Sequence, residues 1–138
     1  MADAIAVNVN TGDVLRGAST RSVTVLASGA RTATVASADF VTDAVRGIHV
    51  IIDVTAVTST PSTTFTLQGK DPASGQYYTL LASAALTGTG TTVLKVFPGA
   101  TASANAAAND CLPAVWRVNC THGNANSMTY SVAANLLA

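Results

Sequence analysis

The sequence contains no glutamate and only two lysines, and charged side chains make up 10% of its 138 residues. Helix surfaces depend on such residues, so their scarcity disfavours a helical fold. Threonine, valine and alanine are abundant instead, and β-branched side chains fit the pleated surface of a sheet. The composition therefore favours strands, and the length fits a single domain that can bury its own core.

Positive charge is also scarce, since the five arginines are scattered among aspartates and the formal net charge is zero. A protein that follows a phosphate backbone needs a basic stripe, so we expect no nucleic-acid partner. The chain has no run of about 18 apolar residues, so we expect no membrane span. The first residues lack a basic start and an apolar stretch, so we expect no signal peptide.

Cysteine is limited to Cys111 and Cys120. Without a secretion signal we expect free thiols, with Cys120 buried in a strand, and a disulfide is the alternative. Together with His49 and His122 the two thiols could be considered as zinc ligands. The paired Cys-x-x-Cys spacing of zinc sites is missing, however, so the sequence predicts neither a metal nor another cofactor.

Catalytic motifs are missing as well. The sequence has no Gly-x-Ser-x-Gly element and no phosphate-binding loop. His49 and Asp53 lie on one face of a predicted strand, but four residues separate them by roughly 13 Å, which is too far for a hydrogen bond. We therefore predict that the protein is not an enzyme.

Short strand patterns separated by turns run from Arg21 to the end of the chain. The clearest covers residues 47–57, where Ile48, Val50 and Ile52 alternate on one face. Similar patterns cover residues 22–26, 32–35, 64–70, 76–82, 92–97, 114–121 and 127–134. The alanine-rich residues 100–109 fit either a short helical turn or a loop. About eight strands at this spacing predict an all-β, antiparallel two-sheet β-sandwich of immunoglobulin-like or jelly-roll type.

The first 20 residues show little periodicity beyond a brief alternation. We predict an extended N-terminal arm over residues 1–20 and a sandwich domain over residues 21–138. The arm could pack on its own domain or on a neighbouring subunit.

Aromatic residues make up only 5% of the chain, although β-sandwiches that bind sugars present aromatic platforms. Trp116, Tyr77 and Tyr78 are the candidates for such a platform. Trp116 alternates with Val118 and is predicted to lie in the core. Tyr77 and Tyr78 must face opposite sides of their strand, so at most one is exposed on a given face.

Several segments resemble small virion structural proteins of tailed bacteriophages. The most specific is FTLQGKDPASGQYY at residues 65–78. The others are residues 27–34, 46–55, 112–118 and 127–132. The resemblance covers about residues 21–138 and leaves out the first 20.

This resemblance implies a capsid decoration, or cement, protein on the outer surface of the virion, made in the cytoplasm of the host bacterium. It implies that the partners are the major capsid protein or other virion proteins and copies of the chain itself, with a trimer as the assembly that such proteins often form. A neck, tail or baseplate protein, or a receptor- or carbohydrate-binding module, is the alternative. The predicted contacts lie in the arm: Ile5, Val7, Val9, Asp13, Leu15 and Arg16.

Overall fold

The computed structural model describes residues 5–7, 14–16, 20–42 and 44–138, and the first two ranges are described by their backbone alone. The strands are β1 (Ile5–Val7), β2 (Val14–Arg16), β3 (Arg21–Arg31), β4 (Val35–Ala36), β5 (Phe40–Val41), β6 (Gly47–Val57), β7 (Thr63–Lys70), β8 (Tyr77–Ala82), β9 (Gly90–Val96), β10 (Ala107–Ala108), β11 (Val115–His122) and β12 (Met128–Leu137).

Ten of these strands form two facing sheets. One sheet has the order β10-β9-β6-β12-β3, and the other has the order β4-β11-β7-β8 with β5 also paired to β11. Every pairing in the two sheets is antiparallel except that of β10 with β9. The predicted all-β two-sheet sandwich is therefore confirmed.

The strand count is ten rather than about eight because β5 and β10 contain only two residues each. A two-residue strand is too short to show an alternating pattern. The alanine-rich segment is a loop that contains one hydrogen-bonded turn, closed by bonds from Ala106 N (3.1 Å) and Ala107 N (2.9 Å) to Ser103 O, and the turn runs into β10. The last strand continues to Leu137, three residues beyond the predicted end.

The core lies between the inner faces of the two sheets, where alternate residues point inward. β6 and β12 are the central strands of their sheet and contribute the largest share of buried residues. The buried hydrophobic residues of these two strands are Ile48, Val50, Ile52, Val54, Met128, Tyr130, Val132, Ala134 and Leu136. The opposite sheet contributes Phe65, Leu67, Trp116, Val118 and Cys120. Each large side chain buried in this way stabilises the fold by about 1.5–3 kcal/mol.

Two buried serines bond the sheet that contains β11 and β7. Ser37 donates its N–H to Val118 O (2.9 Å), and its hydroxyl accepts the Val118 N–H (3.0 Å). Ser83 forms the same reciprocal pair with Phe65 on the other side of the sheet (2.8 and 3.0 Å). Each hydroxyl therefore satisfies a buried backbone donor where the regular ladder has no carbonyl to offer.

The relative position of the two sheets follows from their edges. β8, the edge strand of its sheet, lies against β9 and β10, which form one edge of the other sheet. β3 then lies on the side of β4 and β5, and only residues 32–34 connect β3 to β4. The sandwich thus has a β3 edge and a β8 edge on opposite sides.

Candidate interaction surface

The N-terminal strands form a two-stranded sheet of their own. β1 pairs with β2 in the register Ile5↔Arg16, Ala6↔Leu15 and Val7↔Val14. Within the described residues, neither strand forms a ladder with either sheet of the sandwich. An isolated two-stranded hairpin is marginally stable in water, so these strands require a further contact.

The predicted contact residues are distributed over this hairpin. Ile5 and Val7 lie in β1, and Leu15 and Arg16 lie in β2, so the register brings Ile5 and Arg16 opposite each other. Val9 and Asp13 lie outside the described residues. Their contact with a partner stays a prediction.

The hairpin joins the sandwich at one defined end, which we name the hairpin end. Here β3 begins beside the last residues of β12, with Arg21 opposite Leu136. Arg46, just before β6, is bonded to the loop that leads into β11, because Leu112 N donates to Arg46 O (2.8 Å). The start of β11 and the turn between β7 and β8 also lie here, because Trp116 is paired with Gly69.

A polar cluster lies on the outer sheet face at the hairpin end. Asp39 accepts hydrogen bonds from Lys70 Nζ (2.9 Å) and from the Tyr77 hydroxyl (2.7 Å). The Arg117 guanidinium lies 3.4 Å from the centroid of the Tyr77 ring, and its Nε donates to Gln68 Oε1 (2.8 Å). Tyr77 thus holds together three segments of the chain.

The charges of this cluster compensate one another. The hydrogen bond from Lys70, followed by that from Tyr77, holds the pKa of the Asp39 carboxyl below its ordinary value. The hydrogen bond to Asp39, and then the negative charge of Asp39, raises the pKa of Lys70. The side chains of Asp39 and Lys70 are each about one-third exposed, so water screens their attraction. The ion pair therefore adds little to the stability of the fold and mainly fixes the positions of the two side chains.

Tyr78 faces the other way and forms an exposed aromatic platform. A Cβ placed on Gly69 would lie 2.5 Å from Cζ of Tyr78, 2.6 Å from its hydroxyl and 2.9 Å from Cγ of Pro113. The tyrosine ring therefore occupies the space that a side chain at Gly69 would fill. The Tyr78 residue remains 47% exposed.

Val41 is the other exposed large hydrophobic residue in the described part of the chain, at 71%. It lies in β5 opposite Val115. Val41 and Tyr78 thus belong to the same end of the sandwich but to opposite edges. Trp116 lies between them, is fully buried and stacks on Phe40 with ring centroids 4.8 Å apart. The core assignment of Trp116 is confirmed.

The opposite end, which we name the histidine end, holds its polar groups inside. The Tyr130 hydroxyl lies 2.9 Å from His122 Nε2. Arg31 lies over the Tyr130 ring, 4.7 Å from its centroid, and donates to Tyr130 O (2.8 Å). Arg31 also donates to Ala27 O (2.7 Å) and Gly29 O (3.1 Å), so its charge is used to join β3 to β12.

The ionisation of this end is set by burial. Burial, and then the charge of Arg31, lowers the pKa of His122. Burial raises the pKa of Tyr130, so its hydroxyl stays protonated beside His122 Nε2. His122 Nδ1 and Thr63 Oγ1 are both buried without a hydrogen-bond partner among the described residues, and they belong to cross-strand neighbours.

The other residues considered for chemistry lie apart. Asp53 is bonded by the Thr91 hydroxyl (3.4 Å) rather than by His49. Cys111 is an exposed free thiol, whereas Cys120 is buried and burial raises its pKa to about 11. No group of three or more potential metal ligands is brought together in the described ranges. The described part of the chain also contains no helix that is long and apolar enough to cross a membrane.

Sequence reasoning missed the Tyr77 cluster and the Tyr130–His122 pair. Lys70 and Tyr77 lie opposite each other across the turn between β7 and β8. Asp39 and Arg117 are brought there only by the pairing of distant strands. His122 ends β11 and Tyr130 lies near the start of β12. The length of the turn between them does not determine which of their side chains meet.

Comparison with known proteins does not place the chain in a family. No family model matches the chain, and neither a curated protein nor a solved structure is significantly similar to it. The expected relation to virion proteins of tailed phages finds no support in these comparisons.

Proposed function

We propose that this chain is a non-enzymatic structural protein of a tailed-phage particle that binds the outer surface of the head as a decoration protein. In this role the sandwich is a rigid body, and the N-terminal hairpin and the end from which it emerges make the contacts. The major capsid protein and neighbouring copies of the chain are the partners.

The observation that carries the proposal is the separate β1–β2 sheet. Strands of three residues cannot bury a core of their own, and β1 and β2 form no ladder with the sandwich in the described chain. An extended segment that completes its structure on a neighbour adds contact area without enlarging the folded domain. In a shell with many copies, modest contacts are multiplied by effective concentration.

The uses of the ionisable side chains also support a structural role. His122 bonds Tyr130, Asp39 bonds Lys70 and Tyr77, and Asp71 bonds Ser74 in its turn (2.7 Å). A general acid or base must reach a substrate proton, whereas these groups are occupied by partners within the fold.

Co-sedimentation with purified phage heads tests the proposal. The full-length chain is mixed with heads from which the decoration layer has been stripped, and binding is compared for two proline variants. Ala6→Pro introduces a residue that strands tolerate poorly into β1, and we expect it to abolish binding. Ala102→Pro, in an exposed loop, is the matched control and should bind normally.

Three results would contradict the decoration role. The chain could fail to bind heads, it could bind only tails or necks, or Ala6→Pro could bind as well as the unchanged protein. Binding to tails alone would support the neck, tail or baseplate alternative instead.

Carbohydrate binding is the second candidate, and the exposed Tyr78 ring is the observation that favours it. An aromatic ring laid on a glycine leaves one face open for stacking against a sugar. Trp116 is not available for this purpose because it is fully buried. A glycan array that gives a signal lost in Tyr78→Ser would support this function, and an array without signal would remove it.

A further inference from the structure

We infer that the sandwich binds an ordered internal water molecule at the histidine end, held between the imidazole of His122 and the hydroxyl of Thr63. This site lies inside the domain, so the inference goes beyond the proposed role in a phage particle and does not depend on it. It assigns a ligand to two buried groups that have no hydrogen-bond partner in the described chain.

The two groups that bind the water are both polar and both buried. Thr63 is completely buried, and its Oγ1 has no hydrogen-bond partner among the described residues. His122 Nδ1 is also buried and without such a partner, although Nε2 of the same ring lies 2.9 Å from the Tyr130 hydroxyl. A buried polar group without a partner costs free energy, so protein interiors seldom leave one unsatisfied.

Strand pairing places the two side chains next to each other. Thr63 in β7 and His122 in β11 are opposite residues. The backbone N–H and C=O of Thr63 both bond Leu86 (3.0 and 2.8 Å), and His122 N donates to the Thr34 hydroxyl (3.0 Å). The two backbones thus form their hydrogen bonds away from each other. In a pair of this kind the Cα atoms lie about 4.5 Å apart and the side chains approach closely.

One water molecule matches this spacing. Thr63 Oγ1 and His122 Nδ1 form no hydrogen bond with each other. A water that bonds both atoms can join them across a separation of up to about 5.6 Å, which is twice the usual length of such a bond. Water both donates and accepts, so it satisfies the hydroxyl and either tautomer of the imidazole. Buried waters in proteins form two to four bonds of this type.

Trp116 shows by contrast what such a site requires. Its Nε1 is the third buried side-chain atom without a partner in the described part of the chain. The residue opposite Trp116 is Gly69, which has no side chain, and the indole stacks on the Phe40 ring. No second unpartnered side-chain atom therefore lies across from Nε1, whereas a buried water needs at least two polar partners. The inference is accordingly limited to the Thr63–His122 pair.

The water completes a polar connection between the two sheets. Thr63 and His122 belong to one sheet, and Tyr130 lies in β12 of the other. The hydroxyl of Thr63, the water, the imidazole and the Tyr130 hydroxyl then form one continuous chain of hydrogen bonds. A ring that is bonded through both nitrogens has a fixed orientation. Thr63 is therefore a positioning residue for the bond between His122 and Tyr130.

A crystal structure of the full-length chain tests the inference directly. We expect one ordered water within about 2.7–3.2 Å of both Thr63 Oγ1 and His122 Nδ1. Oxygen-17 relaxation dispersion tests it in solution, because this method counts the water molecules that exchange slowly with the solvent. Thr63→Val keeps the shape of the side chain and removes the hydroxyl, so the variant should hold one slowly exchanging water fewer. Thr64→Val is the matched control on the outer face of the same strand and should keep that water.

NMR titration of His122 gives a second readout, which separates positioning from packing. A protonated imidazole donates from both ring nitrogens, so loss of the water removes a partner of the charged form. The pKa of His122 should therefore be lower in Thr63→Val than in the unchanged chain. Thr64→Val should leave this pKa where it is.

Three results would overturn the inference. The crystal structure could show Thr63 Oγ1 bonded directly to His122 Nδ1, or no density between them. Thr63→Val could contain as many slowly exchanging waters as the unchanged chain. A pKa of His122 that does not fall in Thr63→Val would contradict the positioning role of Thr63.

Discussion

The two ends of the sandwich use the same kinds of side chain in opposite ways. At the histidine end, Tyr130 is fully buried, bonded by His122 and covered by Arg31. At the hairpin end, Tyr78 is 47% exposed and lies on a glycine. A tyrosine that is bonded and buried stabilises its own fold, whereas a rigid exposed one offers area to a partner. The structure thus buries and bonds the tyrosine of the histidine end and leaves that of the hairpin end half exposed.

The largest expected difference between the ends is in the free energy of unfolding. Tyr130→Ala should lower it by about 3–5 kcal/mol because a large cavity is left in the core. Tyr78→Ala should lower it by less than about 1 kcal/mol because the residue is already about half exposed. Urea denaturation of both variants measures the two values, and equal losses would remove the distinction between the ends.

Two glycines at the hairpin end refine the comparison. A Cβ on Gly47 would overlap the Phe97 ring and lie 2.7 Å from the backbone oxygen of Val96, so Gly47→Ala should cost about 1–3 kcal/mol. In Gly69→Ala the exposed Tyr78 ring can move outward, although Pro113 Cγ at 2.9 Å must also shift, so we expect a smaller cost of about 1 kcal/mol. Thermal and urea unfolding would detect a reversed order, which would mean that the platform is part of the core.

The histidine end should make stability depend on pH. The folded pKa of His122 lies below its ordinary value of about 6.5, so the unfolded chain binds more protons as the pH falls from there towards the folded value. The free energy of unfolding should fall over this window by at most about 1.4 kcal/mol per pH unit, and the fall should stop below the folded pKa.

Urea unfolding at a series of pH values measures this effect. His122→Gln keeps an acceptor for the Tyr130 hydroxyl but does not titrate, so its stability should be flat where that of the unchanged chain falls. His49→Gln, on the outer face of β6, is the control and should retain the fall. An unchanged slope in His122→Gln would show that another group is responsible.

The smallest effect concerns the polar cluster at the hairpin end. Lys70→Met removes the main hydrogen bond that lowers the pKa of Asp39, so this pKa should rise towards its ordinary value. The Tyr77 hydroxyl still bonds Asp39, so the rise should be incomplete. Titration of the Asp39 carboxyl by NMR measures it, while the melting temperature should not change, because the pair is exposed to solvent.

The sequence predicts the sandwich well where alternation is long and apolar. β6 has the bounds that its pattern indicates, and Trp116 is in the core as its strand position predicts. Two-residue strands such as β5 carry no periodicity, so they escape detection. Their existence depends on pairing with β11, which only the folded sheet provides.

The candidate surface was predicted only in part. The arm pattern pointed to residues 1–20, and the structure adds a paired hairpin to it. Tyr78 and Tyr77 were expected to face opposite sides, but the exposure of Tyr78 depends on Gly69 and Pro113, which strand register and loop packing bring together. Register between distant strands is a tertiary property, and local sequence does not determine it.

Cryo-electron microscopy of the particle that carries this chain tests the central claim most directly. We predict density for the sandwich on the outer surface of the head, with the hairpin end in contact and β1–β2 crossing to a neighbouring subunit. Density located in the tail or neck, or a head-bound sandwich attached through its histidine end with the hairpin end free in solvent, would contradict the account.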